Sequence, residues 1–272
     1  ILNVPVTDLF AAAIMPGLML AALYTGYTLI RCHLNPNLGP VVPEDLIPDS
    51  MKEVWIEFFK GLLPPVLLVG SSLGSILAGW ATATEGAAMG AVGAIFLTLA
   101  YRKLTFESFK SSLLKTLEIT TLIMVLVCAS NFFGAVFSRL GTPTMITEYL
   151  MLLDLPPTAI LLIIMAFIFL LAWPLEWVPI VLIIIPIVLP LIEQLGFNLT
   201  WFGILVAVNL QTAWLSPPVA LSAYFLKGVV PEWDLADIYK GMMQFMAIQV
   251  VGLALIIIFP QIVLWLPTYL YG

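Results

Sequence analysis

The stretch from Phe169 to Val229 constrains this chain more than any other, because it interrupts apolar runs where a membrane helix should be continuous. Two apolar segments flank Trp173-Pro174-Leu175-Glu176-Trp177. Each reads as too short to cross a bilayer comfortably, a task that takes roughly 20 apolar residues. The segment after them is long enough, but Gln211-Thr212-Ala213-Trp214-Leu215-Ser216-Pro217-Pro218 breaks its middle. Non-helical backbone is tolerated at membrane depth only where protein buries it or where it lines a polar cavity. Short or Pro-interrupted apolar segments therefore point to the substrate and ion site of a carrier.

Composition agrees with a membrane reading. Hydrophobic residues make up 62% of the 272 residues and charged residues 10%, against about 25% charged in soluble domains. The mean hydropathy of +1.10 excludes a soluble globular domain. The net charge of −6 comes with no basic cluster, so nothing suggests nucleic acid. Cys32 and Cys128 do not suggest a disulfide framework and read as buried small hydrophobes. The chain starts at Ile1 and leads straight into an apolar span, which suggests a preceding part.

Along the chain, Leu9 to Ile30 is the first span, with a kink expected at Pro16-Gly17. A Pro-rich connection follows (Pro36, Pro40, Pro43, Pro48), then Met51 to Lys60, whose aromatic and charged faces suit a helix lying in the interface. Leu62 to Trp80 and Gly86 to Tyr101 form a pair of spans, with close packing expected at Gly70, Gly74 and Gly79 together with Ser71, Ser72 and Ser75. Arg102 to Lys115 is amphipathic and basic, Leu117 to Ser138 crosses, and Gly141 to Asp154 reads as a surface helix. Met242 to Leu266 is the last span. Cytoplasmic connections are rich in Lys and Arg. Arg31, Lys52, Lys60, then Arg102 to Lys115, then Lys227 and Lys240 share one face if the pair at Leu62 to Tyr101 goes out and back and the hairpin with its tip at Trp173 to Trp177 dips in from the other. That orientation puts the hairpin mouth and the C-terminus outside.

Thr7-Asp8-Leu9-Phe10 and Ala236-Asp237-Ile238-Tyr239 open spans that enter from opposite sides, a faint sign of inverted repeats. Longer motifs name a family. Gly79-Trp80-Ala81-Thr82-Ala83-Thr84-Glu85-Gly86-Ala87-Ala88 is similar to the Gly-x-x-Thr-Pro-Thr-Glu-Ala-Ala-Ala signature of the large membrane subunit of tripartite ATP-independent periplasmic (TRAP) transporters. Asn209-Leu210-Gln211-Thr212, Leu215-Ser216-Pro217-Pro218 and Tyr224-Phe225-Leu226-Lys227-Gly228-Val229 resemble its broken-helix region, and Pro186 to Pro190 and Trp201-Phe202-Gly203 also fit. Ala83 and Gly86 depart from the signature, and at the hairpin tip Ala172 and Pro174 stand near positions where the family often has Gly and a larger apolar residue.

The resemblance implies an all-α elevator carrier of the ion-transporter superfamily. It implies sodium coupling, organic-acid substrates, a small membrane subunit, a periplasmic binding protein and an inner-membrane location. On that plan, residues 1–31 are the last span of a preceding repeat and 32–61 a cytoplasmic connection with an interfacial helix. Residues 62–157 hold spans and surface helices, 158–196 a re-entrant hairpin, 197–230 the discontinuous helix and 231–272 the final span. Two alternatives stay open: an anion carrier without a binding protein, and a non-transporting scaffold.

Sodium wants hard oxygen ligands, which unwound backbone supplies without a buried full charge, while half-helix N-termini suit a carboxylate. Thr212 and Ser216 offer hydroxyls for sodium, Pro217-Pro218 frees carbonyls, and Asn209 and Gln211 orient the set. Glu176 at the tip is either part of the site or a vestibule residue. Glu85 either caps, pairs across the domain or sits in water, with Thr82 and Thr84 supporting the turn. Trp173 and Trp177 would be interface anchors if Glu176 is a vestibule residue. His33 reads as a surface residue. With no His/Cys cluster, nucleotide loop or catalytic triad, neither an enzyme nor a cofactor is expected.

Overall fold

A computed structural model of the chain describes residues 2–39, 50–217 and 220–272. Pro40, Pro43, Pro48 and Pro218 lie outside the described residues. The helices are α1 (Val6–Leu34), α2 (Met51–Leu77), α3 (Ala83–Ala100), α4 (Phe106–Arg139), α5 (Thr142–Met151) and α6 (Pro157–Leu171). They continue with α7 (Trp177–Gln194), α8 (Leu199–Leu210), α9 (Leu221–Val229), α10 (Leu235–Ile258) and α11 (Gln261–Tyr271). Among the described residues there is no strand, and α1, α2, α3, α4, α7 and α10 are long and apolar enough to cross a membrane. The chain forms two units, Gly26–Glu118 and the remainder (Ile1–Thr25 with Ile119–Gly272).

In the Gly26–Glu118 unit, α2 packs along α3. The contact is made by the glycines of α3. A Cβ on Gly86 would fall 2.6 Å from Ile76, one on Gly93 would fall 2.3 Å from Leu68, and one on Gly90 would touch Ser72 at 3.3 Å. Ser72 donates its hydroxyl to the Gly86 carbonyl at 2.6 Å across this interface. Gly70 and Gly74, expected to pack, have nothing near their missing side chains. Gly79 instead turns the chain at φ +72°, where a Cβ would be strained. The stretch 51–60 is continuous with the span that follows it: Ser50 caps α2 at Lys52, and the helix runs through Pro64 and Pro65 to Leu77.

Helix α4 likewise joins two segments that the sequence separates. Thr105 and Ser108 cap each other's backbone N–H groups at its start, and no Gly or Pro follows until Gly134. The basic stretch therefore runs into the span as one helix of 34 residues, about 51 Å long. Its outer face leaves Cys128 exposed, and Cys32 is half-buried, so neither cysteine is the buried hydrophobe expected; both are free. His33 is exposed at the end of α1.

In the other unit α8 is the central helix, with α6, α10 and α11 packed on it. Phe202 and Leu205 of α8 are fully buried among Ile160, Leu161 and Ile168 of α6 and Ile256 of α10. The chain leaves helix after Leu171 and resumes at Trp177, so the expected break at the tip is present. The second arm, however, is an 18-residue helix, about 27 Å and not too short to cross. It contains one π turn at Ile180–Ile184, in which the Ile185 N–H reaches Ile180. Pro186 causes it: the ring has no N–H and crowds the preceding turn. The arms are not each other's main neighbours, since α6 packs on α8 and the second half of α7 packs on α5.

The last span is also corrected. It ends at Ile258, and α11 starts after Pro260. Pro260 cannot donate to the Ile256 carbonyl, and the buried Trp201 indole of α8 takes that carbonyl instead, at 3.1 Å. A smaller core of Ala220, Ala223 and Ile238 holds α9 against α10.

Candidate functional site at the broken helix

Helix α8 ends at Leu210, tightens into a 3₁₀ turn over Gln211–Trp214 and leaves helix before α9 begins at Leu221. The polar residues expected to make a site are deeply buried here: Asn209 is 0% exposed, Thr212 1% and Ser216 0%. Asn209 donates its amide to the Met165 carbonyl of α6 at 2.8 Å, tying the break to the first arm. Thr212 donates its hydroxyl to the Asn209 carbonyl at 2.6 Å, so one freed carbonyl of the last turn is served locally. The Ser216 N–H donates to the Thr212 carbonyl at 2.9 Å. Asn209 Oδ1 and Ser216 Oγ have no hydrogen-bond partner among the described residues. Buried orphan oxygens are rare and call for an explanation such as a bound ion. These two are neutral and hard, the kind of donor a desolvated alkali cation takes. Pro217 follows at the half-buried edge of the break.

Two residues that sequence reasoning missed complete the arrangement. Gln249 lies mid-way along α10 and is 2% exposed. Its Nε2 donates to the Val208 carbonyl at 2.9 Å and to Gln211 Oε1 at 2.5 Å, while its Oε1 accepts from the Tyr24 hydroxyl of α1. Of the two amides in this helix, Gln244 is exposed and Gln249 is buried; an amide in an apolar helix is itself a signal, since polar groups at membrane depth need partners. Gln211, expected to orient the site, is exposed and lines a cleft of about 860 Å³ with Trp177, Trp214, Val181, Leu210 and Asn3. Tyr24 lines a second cleft of about 890 Å³ with Leu215, Trp233 and Asp237.

Glu176 is half-buried at the start of α7 and makes no capping bond. Its neighbour Trp177, not Glu176, borders the cleft that Gln211 lines. Trp173 packs edge-on against Phe169 at 6.0 Å, and its buried indole N–H has no partner among the described residues.

Away from the break, Thr82 and Glu85 form a reciprocal cap at the start of α3. The Glu85 carboxylate accepts from the Thr82 N–H at 2.7 Å and from its hydroxyl at 2.9 Å, and Thr82 Oγ1 accepts from the Glu85 N–H. Glu85 therefore caps α3 while its side chain stays exposed. Thr84 is exposed beside it. Among the described residues no group of three or more His, Cys, Asp or Glu side chains could hold a metal ion.

Comparison with known proteins covers nearly all of the chain. Residues 1–262 match the family model described as the tripartite ATP-independent periplasmic transporter, DctM component. The chain is 28% identical to the sialic acid TRAP transporter large permease protein of Vibrio cholerae, over 99% of this chain and 62% of that protein. It is 28% identical to the C4-dicarboxylate TRAP transporter large permease protein of Rhodobacter capsulatus, over 97% of this chain and 59% of that protein. It is 25% identical to the 2,3-diketo-L-gulonate TRAP transporter large permease protein of Escherichia coli, over 95% and 59%. The chain thus spans about three fifths of the length of these relatives.

Proposed function

Since this multi-helix membrane chain belongs to the family of the DctM component of TRAP transporters, we propose that it carries transport-site elements of a sodium-coupled importer of an organic acid. The observation that carries the sodium assignment is the pair of buried, unpartnered oxygens at the break, Asn209 Oδ1 and Ser216 Oγ. Thr212 and the carbonyls of the unwound segment complete a set of neutral oxygen ligands. The substrate is an organic acid, in keeping with the sialic acid and C4-dicarboxylate named for the relatives. A periplasmic binding protein delivers it, and a small membrane subunit and the lipid bilayer hold the carrier. In this reading the 158–196 segment is a re-entrant hairpin opening to the periplasm, the C-terminus is periplasmic, and the site moves as an elevator within the inner membrane.

The test is uptake by the complete transporter in liposomes, with substrate-loaded binding protein and no ATP. Uptake should require an inward sodium gradient. Replacing sodium by choline without loss of uptake would refute the sodium coupling. Ser216→Ala and Thr212→Ala should each raise the sodium concentration for half-maximal uptake, because each removes a hydroxyl oxygen; the Thr212 hydrogen is donated within the turn, which leaves its lone pairs for the ion.

A further inference from the structure

Resting on the carrier reading above, we infer that Gln249 is a positioning residue that fixes the polarity of Gln211, so that Gln211 presents its amide hydrogens to a substrate carboxylate in the cleft. The Val208 carbonyl can only accept, so the atom of Gln249 beside it is the nitrogen. The same nitrogen faces Gln211, which must therefore turn its oxygen inward. The Tyr24 hydroxyl then faces the Gln249 oxygen and donates to it. Every polar atom of Gln249 is engaged, and one backbone carbonyl sets the direction of the whole chain.

The consequence falls on Gln211. Its oxygen is held by Gln249, and no described residue engages its Nε2, while the residue borders the cleft beside Trp177 and Trp214. Two N–H donors on a largely apolar wall, where Asn3 is the other amide and no lining side chain is charged, suit a carboxylate oxygen better than a cation. A Gln211 free to flip would offer its oxygen half of the time. Holding it in one sense removes that ambiguity and raises affinity through preorganisation.

The complete transporter containing this chain is the material for the test, with succinate, N-acetylneuraminate and 2-oxoglutarate as probes and thermal stabilisation at fixed sodium as the readout. Gln211→Glu keeps an oxygen for Gln249 to hold but replaces the outward amide with a negative oxygen. It should raise the half-saturating concentration of the best probe at least tenfold and leave the melting temperature without acid within 2 °C of wild type, on the order of a surface change. Gln249→Met, which keeps length but cannot hold Gln211, should weaken the same probe severalfold, and Gln249→Asn should recover part of the loss. A merely structural Gln249 would lower the melting temperature and leave acid affinity untouched. Wild-type affinity in Gln211→Glu, or no probe stabilising the wild type, overturns the inference. Loss of sodium-driven uptake in the wild type would instead overturn the carrier reading, so the two failures are distinguishable.

Discussion

Replacing Asn209 by Leu separates the two tasks that the break assigns to one side chain. The amide of Asn209 donates one buried hydrogen bond to Met165, while its oxygen is buried without a described partner. Met165 lies inside α6, where its carbonyl also serves the helix. Losing the bond should therefore cost about 0.5–1.5 kcal/mol, and removing an orphaned oxygen offsets part of that. In choline, stability should stay within about 1 kcal/mol of wild type. Sodium should read the other task. At one hundred times its dissociation constant, a ligand stabilises by about 2.7 kcal/mol, and a tenfold weaker site at the same concentration gives about 1.4 kcal/mol. The sodium-induced rise in melting temperature of the complete transporter should thus fall by about half in Asn209→Leu. An unchanged sodium increment beside a large loss of stability in choline would make Asn209 a packing residue and refute its role as a ligand.

Other substitutions check the frame around the site. Gly86→Ala should destabilise the α2–α3 pair by about 1–3 kcal/mol through overpacking against Ile76, whereas Gly70→Ala, with open space around it, should be neutral or stabilising by up to about 1 kcal/mol in thermal melts. Glu85→Ala should lower the melting temperature slightly, as the loss of one half of a reciprocal cap, with sodium affinity unchanged, and Glu85→Gln should behave as wild type because the amide oxygen still caps; a large shift in half-maximal sodium for Glu85→Gln would place Glu85 in the ion site. A cysteine at position 176 should change its reactivity to an impermeant thiol reagent when sodium and loaded binding protein are added; constant labelling would make the tip ordinary surface.

Much of this arrangement is legible in the residues, and the failures have physical causes. The break at Gln211–Ser216 is visible because polar residues and prolines fall where an apolar helix would continue. The Thr82–Glu85 cap is visible as Ser/Thr-x-x-Glu spacing. The packing residues are half legible: Ser72 does meet α3, but Gly70 and Gly74, which share the spacing of a contact stripe, have open space around them, and in this pair the glycines that meet a neighbour are Gly86, Gly90 and Gly93; spacing alone does not say which face is covered. The stop at Pro260 is hidden in the sequence because hydropathy averages across a single proline. Gln249 is hidden for a similar reason, as a single amide hardly changes the hydropathy of an apolar run, although its cost without partners makes it more informative than the residues around it.

The bond from Trp201 to the Ile256 carbonyl has a consequence for how these sequences drift apart. The carbonyl is free only because residue 260 is proline, and the indole is anchored only while that carbonyl is free. An alanine at 260 would supply a backbone donor that competes with Trp201, and a phenylalanine at 201 would strand the carbonyl in the core. Either change alone is unfavourable, yet the two together restore an ordinary helical bond and a satisfied core. Positions 201 and 260 should therefore covary across the family, with tryptophan and proline gained or lost as a pair.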